Sequence, residues 1–582
     1  MTVTNIPRPE HPRPQWVREA WMNLNGEWQF EIDQGRSGKA RGLQQTHAKL
    51  DQTILVPFCP ESRLSGIGHT DFIRAVWYKR SFHLPEAWSG HRTLLHFGAV
   101  DYVAEVWVND IYVGSHQGGY VSFSFDITDA LQPGENIVTV YAEDDHRSGL
   151  QPRGKQSVTY YSQGCDYTRT TGIWQTVWLE SVPQTYISSI RMTPDPENAC
   201  VHLEANIKGA VSGLQLTGAA FFEGQPVGYA SAKLGSSMVK LTLPVSEVHR
   251  WHPGSPHLYD LHVKIMDDDT IIDAAESYFG LRSIQLDGMA FRINGKSIFQ
   301  RLVLDQGFYP EGIYTAPTDE DLKRDIELSL TLGFNGARLH EKMFEPRFLY
   351  WADRLGYLVW GEHANWGLDI TTSQGLVQFL PEWIEGVLRD FNHPSLIGWC
   401  PFNETWDAGN GARQNDNVLR IVYETTKAID PTRPVIDTSG NYHVATDIYD
   451  VHDYDQNPGT FRARYAPMAE GGEVFTTFPD RQQYEGQPYF VSEYGGIWWN
   501  PSQQDEKAWG YGERPKSEAE FLTRYEALTS TLLDHPKMFG FCYTQLYDIE
   551  QEVNGLYTYD RQPKFDPQVI RAINSRKAAI ED

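Results

Sequence analysis

Near residue 280 the texture of the chain changes, and that change limits what it can fold into. Between residues 25 and 181, short runs such as Glu27-Trp-Gln-Phe-Glu-Ile, Val76-Trp-Tyr-Lys-Arg-Ser-Phe and Asn136-Ile-Val-Thr-Val-Tyr-Ala put apolar side chains at every second position. Gly, Pro, Asn and Asp separate the runs. A period of two marks strands buried on one face, and this many of them predict an antiparallel β-sandwich. Residues 184–281 repeat the pattern over about 100 residues, the size of an immunoglobulin-like sandwich. Beyond Phe279-Gly-Leu-Arg the apolar runs become continuous and alternate with amphipathic segments. Eight such runs, at 299–305, 334–340, 357–362, 396–404, 433–438, 447–452, 488–493 and 538–545, predict a (β/α)8 TIM barrel, whose active site is built at the C-terminal ends of its strands. The first helix is expected to open after Thr318 as N-cap and to stop at Gly333. The chain therefore divides into a multidomain array of residues 1–183, 184–281 and 282–582.

A barrel that is only a scaffold has no reason to gather titratable and aromatic groups on one rim. Here the strand ends are crowded with them: Asp305 and Gln306 on strand one, Arg338 and His340 on two, Glu362, His363 and Trp366 on three, Asn403, Glu404 and Trp406 on four. Strand six adds His452, Asp453 and Tyr454; strand seven, Glu493, Tyr494 and Trp498; strand eight, Tyr543, Thr544, Gln545 and Asp548. Glu404 and Glu493 stand apart because each directly ends a buried run. Strands four and seven lie on opposite sides of a barrel, so their acids face each other across its mouth. Two carboxyls, one protonated and one ionised, break glycosidic bonds by acid assistance and nucleophilic attack. A separation of roughly 5 to 5.5 Å gives retention, and roughly 6.5 to 9.5 Å admits a water and gives inversion.

Composition narrows the partners. The formal charge of −26 argues against nucleic acid or an anionic membrane, both of which need clustered Lys and Arg. The five cysteines, Cys59, Cys165, Cys200, Cys400 and Cys542, show no CxxC or Cys/His spacing, so neither a disulfide framework nor a zinc site is implied. No apolar leader or membrane-length run is present, and a cytoplasmic location is the expectation. The 18 Trp and 30 Tyr suit sugar contact as well as sandwich cores. Trp366, Trp406, Trp498 and Trp499 are candidates for a sugar platform. Trp107, Trp174 and Trp178 read as core, and His116, between Gly114 and Gly118-Gly119, reads as a turn residue.

Several motifs in register resemble glycoside hydrolase family 2, the group of β-galactosidases, β-glucuronidases and β-mannosidases. Leu24-Asn-Gly-Glu-Trp-Gln-Phe, the Val106-Trp-Val-Asn-Asp stretch through Gly118-Gly-Tyr and Thr171-Gly-Ile-Trp-Gln-Thr-Val-Trp resemble its N-terminal jelly-roll sugar-binding domain. Phe279-Gly-Leu-Arg-Ser-Ile and Phe291-Arg-Ile-Asn-Gly-Lys resemble its entry into the barrel. Asn392-His-Pro-Ser followed by Asn403-Glu404 resembles its acid/base motif, and Ser492-Glu493-Tyr-Gly its nucleophile motif. The resemblance implies a retaining exo-glycosidase with Glu404 as acid/base, Glu493 as nucleophile and Asn403 on the sugar 2-hydroxyl. It also suggests a homo-oligomer. Tyr454 is the candidate hydroxyl for keeping Glu493 ionised. Asp305, Arg338, His340, His452, Trp366, Trp498, Trp499 and Gln545 complete the expected substrate-binding set. No cofactor and no metal ligand set are expected.

The departures bear on the sugar. Members acting on glucuronides carry Asn-x-Lys before a Gly-aliphatic-aromatic-Thr run, and here Glu552, Val553 and Asn554 precede Gly555-Leu-Tyr-Thr. The expectation is hydrolysis of neutral glycosides, β-galactosides first, with a β-glucuronidase or a furanosidase of the same family as alternatives. A carbohydrate-binding protein without catalysis and a metal-dependent hydrolase using the rim histidines are the readings from other classes.

Overall fold

The computed structural model describes residues 6–407, 410–503 and 507–582. Its first unit is a sandwich. A six-stranded antiparallel sheet runs in spatial order Gln52–Val56, Gly26–Ile32, Ala75–His83, Glu135–Glu143, Val103–Val108 and Ile111–Gln117. Against it lies a four-stranded sheet of Trp21–Asn23, Val177–Val182, Arg92–Phe97 and Phe123–Asp126. One apolar cluster, including Trp28, Tyr78, Val106, Val140, Leu95, Phe97 and Leu179, fills the space between them. Trp174 and Trp178 are each 1% exposed and Trp107 stacks on Trp77, as core residues do. His116 is a strand residue rather than a turn residue. It stacks on Phe123 and brings Nε2 to 2.9 Å from Glu385, so the barrel draws on this strand.

The second unit packs a three-stranded sheet (Tyr186–Asp195, Cys200–Lys208, Met238–Pro244) on a four-stranded one (Gln225–Lys233, Gln215–Phe222, Tyr259–Asp267, Thr270–Phe279). Alternation does the work that the sequence predicts: in Met238–Pro244 the residues Val239, Leu241 and Leu243 are buried while their neighbours are exposed.

In the barrel, seven parallel strands form one sheet: Gln300–Asp305, Gly336–Leu339, Leu358–Glu362, Leu396–Cys400, Tyr449–Asp453, Tyr489–Gly495 and Met538–Thr544. The fifth strand is shorter than the sequence predicts. Only Thr438–Ser439 pairs, with Phe402–Asn403, helped by a bridge between Trp399 and Val435. The Asp447 amide donates to the Val435 carbonyl and joins this segment to the sixth strand, which closes the ring. Pro434 explains part of the shortening, because it has no N–H to give a ladder. No helix separates strands five and six among the described residues, so seven helices surround the barrel where eight would complete the pattern. The first of them, Asp319–Thr331, begins at Thr318 with a capping box to Asp321, and Gly333 follows its end with φ 83°. No helix is long and apolar enough to cross a membrane among the described residues.

The first sandwich sits on the C-terminal rim of the barrel. The Tyr120 amide donates to Glu382, the Arg153 amide to the Trp366 carbonyl and the Thr168 amide to Glu550. Tyr120, Tyr167 and Trp174 share one core cluster with Phe308, Tyr314 and Trp383 of the barrel.

Candidate active site

Arg338 organises the floor of the barrel mouth. Its Nε donates to Glu362 (2.6 Å), Nη1 to Glu493 (3.0 Å) and the Ser492 carbonyl (2.9 Å), and Nη2 to Asn403 Oδ1 (3.1 Å). The guanidinium is 1% exposed. A buried carboxylate is tolerable only with such partners, and here one planar cation serves two of them. The groups expected to touch sugar at this point also hold one another. His340 brings Nδ1 to 3.1 Å from Glu362, and burial, followed by the charge of Lys155, keeps it neutral, far below the ordinary histidine pKa.

Glu493 lies near the C-terminal end of a fully buried strand. Tyr454 donates its hydroxyl to Oε2 of Glu493 and stands 3.0 Å from Thr544 Oγ1. Tyr511 stacks flat on Tyr454 at 3.5 Å between ring centroids and fixes where that hydroxyl points. Glu404 sits opposite with φ 45°, a left-handed conformation that costs a non-glycine residue about 1–3 kcal/mol. Its amide is held by the Ser439 carbonyl, and Asn403 before it is clamped by Asn365 and Trp366, which bond both sides of its peptide. This strain aims the carboxylate into the mouth.

Between the acids stands His452. Carboxylate oxygens of Glu404 and Glu493 and a ring nitrogen of His452 lie within 4.8 Å of one another. His452 Nδ1 is 2.7 Å from Glu404 and 3.4 Å from Glu493, and its Nε2 is 2.9 Å from Ser439 Oγ. Ser439 donates its single proton to Asp450 at 2.6 Å, so towards His452 it accepts. A proton on Nδ1 as well, where two carboxylates can accept it, would make the ring an imidazolium. Burial opposes that charge, yet Glu493 and Glu404 outweigh it and raise the His452 pKa. Burial would likewise favour a neutral Glu404, but the hydrogen bond and charge of His452, with Lys155 and Arg338, hold its pKa below the ordinary carboxyl value. His452 is thus poised to carry a proton one hydrogen bond from Glu404.

A cavity of about 440 Å³ opens beside Glu404, lined by Arg153, Asn365, Trp366 and the 367–371 and 404–407 segments. Trp366 thus borders the site, and its Nε1 is spent on the Asn403 carbonyl. Trp498 and Trp499 lean elsewhere, the first under Arg514 and the second against Phe521. Asp305 accepts from Tyr547 and the Gly307 amide, and burial, with Asp325, pushes its pKa up to about 6. Gln545 links Gln306 to Asn554. Asn554 in turn donates to Glu552, which also accepts the Tyr167 hydroxyl. Asn403 keeps one buried donor, Nδ2, without a protein partner.

Sequence reading missed Lys155, Asn365, Tyr511 and Ser439. Lys155 lies in the first sandwich and nothing in its spacing ties it to Glu404. The one available signal is Gly154, which has φ 59° and where a Cβ would meet the Glu341 carbonyl at 2.6 Å. Chemically, the arrangement offers one carboxylate fixed by a cation and a phenol, and a second with a proton beside it and open space in front. Such a pair can attack a carbon from one side and protonate an oxygen on the other.

Comparison with known proteins agrees along the chain. Residues 69–183 match the sugar binding domain of the glycosyl hydrolases family 2, residues 185–282 the domain that bears the family's name, and residues 285–577 its TIM barrel domain. A β-glucuronidase of Paenibacillus borealis is 25% identical over 96% of this chain and 98% of that protein. A β-galactosidase of Thermoanaerobacter pseudethanolicus is 27% identical over 62% of this chain and 48% of that protein. The structure of Bifidobacterium dentium β-glucuronidase complexed with coumarin-3-O-glucuronide shares the fold, with a TM-score of 0.79 at 22% identity over 96% of this chain and 97% of that one. The chain belongs to the glycosyl hydrolases of family 2 and is a glycosidase.

Proposed function

We propose that the protein hydrolyses terminal, neutral β-glycosides with net retention, β-galactosides first. Glu493 attacks the anomeric carbon as Glu404 protonates the departing oxygen, and Glu404 then takes a proton from the water that releases the sugar. The observation that carries this reading is the separation of the two carboxylates, at most 4.8 Å between oxygens. That spacing suits a covalent glycosyl-enzyme and leaves no space for the water of an inverting mechanism.

The surroundings support the division of roles. Glu493 is held by hydrogen bonds from Arg338 and Tyr454, whereas Glu404 borders the cavity where a leaving group would sit. His452 passes its Nδ1 proton to Glu404 as negative charge grows on the departing oxygen. The unpartnered Nδ2 of Asn403 suits the sugar 2-hydroxyl, a contact that strengthens in the transition state. Trp366 offers its ring as a platform. Tyr454, Arg338 and His340 act on the acids, and Asp305 and Gln545 shape the loops behind them.

The neutral sugar is favoured by Glu552. It stands where glucuronide-cleaving relatives have the start of Asn-x-Lys, and it accepts from both Tyr167 and Asn554, as an ionised carboxylate does. The β-glucuronidases among the relatives favour a second reading, β-glucuronide hydrolysis. A panel of aryl β-galactosides, β-glucosides, β-mannosides, β-glucuronides and furanosides separates the readings. Release from a neutral glycoside, with the same anomer in product as in substrate, is the expected result; release from the glucuronide alone would replace it. Activity after exhaustive chelation is expected to be unchanged, and its loss would favour a metal held by Glu404, His452 and Glu493. Light scattering tests the homo-oligomer that the family resemblance suggests.

A further inference from the structure

We propose that Lys155, carried into the barrel mouth by a loop of the first sandwich, binds the substrate directly, donating to hydroxyl oxygens of the sugar while Glu552 accepts from them. This inference rests on the glycosidase reading above and names what that reading leaves open: the groups that select a neutral ring.

The loop is built to deliver this side chain. The amides of Arg153 and Gly154 both donate to the Trp366 carbonyl, and the Lys155 carbonyl accepts from the Tyr167 amide at 2.7 Å. At Gly154 any side chain would strike the Glu341 carbonyl, so the backbone can lie flat on the rim only with glycine there. Lys155 is 6% exposed, and its ammonium stands 3.7 Å from the centroid of the Trp366 ring that lines the cavity. Among the described residues it donates no hydrogen bond and makes no ion pair within 4.0 Å.

That is an unusual state for a buried ammonium. Three donors removed from water without acceptors cost more than a ring face repays. Other cations of the region have acceptors: Arg338 as described, Arg153 Nη1 at Asp166 and two carbonyls, and Lys564 at Asp548 and the Trp499 carbonyl. Burial would strip the charge from Lys155, but Cys165, Glu404, Glu552 and Glu341 around it keep it charged. The same charge is felt at His340 on strand two, at Glu404 on strand four and at Glu552 after strand eight. What places it at the mouth is the Trp366 ring beneath it, which lines the same cavity as Glu404.

The pairing with Glu552 decides the ligand class. Tyr167 ties the two together, its amide bonding the Lys155 carbonyl and its hydroxyl donating to Glu552. An ammonium and a carboxylate more than 4.0 Å apart present a donor and an acceptor with a gap between them, which a hydroxyl group, both donor and acceptor, can fill. A uronate would satisfy Lys155 but meet Glu552 as a like charge.

The test uses the full-length enzyme on whichever aryl glycoside the wild type cleaves fastest, together with its singly deoxygenated analogues. Lys155→Met keeps the aliphatic stem over Trp366 and removes the donors. It is expected to lower kcat/KM by about 10²- to 10³-fold, with Lys155→Arg recovering part of the loss and thermal unfolding unchanged. One deoxy analogue should be poor for the wild type and no poorer than its parent for Lys155→Met, a coupling that damage to the loop would not produce. Wild-type kcat/KM in Lys155→Met, or equal losses for all analogues, would overturn the inference. A loss confined to the β-glucuronide would also overturn it and make Lys155 a carboxylate reader. Failure of the underlying reading looks different: there Glu493→Gln would keep its turnover.

Discussion

The floor and the wall of the site are built on opposite plans. On the floor, Arg338, Glu362, Glu493 and Tyr454 answer one another donor for acceptor, on strands of the barrel itself. On the wall, Lys155 lies over Trp366 with no acceptor among the described residues, and Asn403 behind it keeps a buried Nδ2 without a protein partner. A saturated network holds reacting groups in place and gives a substrate little to bond. An unsaturated one costs stability until a ligand completes it, and that is where selectivity is gained. On the roles proposed above, the difference would divide mechanism from sugar preference between domains, the first carried by barrel strands and the second partly by a sandwich loop.

The largest expected effect comes from the acids. Glu493→Gln and Glu404→Gln should each lower kcat by about 10⁴-fold or more with the fold intact by circular dichroism. Azide should then rescue Glu404→Ala to a β-azido sugar and Glu493→Ala to an α-azido sugar. Identical products from the two variants would erase the asymmetry between them.

Breaking the floor is expected to damage stability as well as rate. Arg338→Met leaves Glu362 and Glu493 buried without their shared cation, a change that costs about 3–5 kcal/mol where a buried pair loses one partner. The measurement is urea unfolding alongside kcat. A variant as stable as the wild type would mean that the floor is not electrostatically tied.

His452 connects the two plans and should be visible in pH. Its pKa is raised, so its contribution to stability is complete below the ordinary value of 6.5 and fades as pH climbs through the raised one. The Glu404 pKa is lowered, so its contribution is complete above the ordinary value of 4.5 and fades as pH falls through the lowered one. The pair therefore stabilises most between these limits. His452→Asn should abolish that maximum and move the alkaline limb of kcat/KM towards acid, because the catalytic proton then has only a carboxyl to sit on. An unmoved limb would mean that His452 does not hold it.

The smallest effect belongs to the wall's support. Gly154→Ala should displace the loop from the Glu341 carbonyl and raise KM several-fold while kcat changes little. Equal changes in both would place the loop in the chemistry rather than in recognition.

The legible parts were those written in local pattern. Alternation in Met238–Pro244, continuous apolar runs in the barrel and the Thr318 cap each follow from the residues that form them. Glu404 and Glu493 were legible because a charged residue ending a buried strand is costly unless used. Other parts were not. The shortened fifth strand depends on Pro434 and on pairing with a distant segment. Arg338, expected to bind sugar, is held by four partners that lie 24, 65, 154 and 155 residues away.

The sequence by itself determined that this chain forms two sandwiches and a barrel, and that two carboxylates end opposing strands, because secondary structure and burial follow from periodicity within short windows. Only the tertiary structure decided that His452 stands between those acids and that Lys155, from another domain, lies over Trp366 beside the cavity. Such contacts depend on distances between residues far apart in the chain, which local pattern does not encode and packing alone sets.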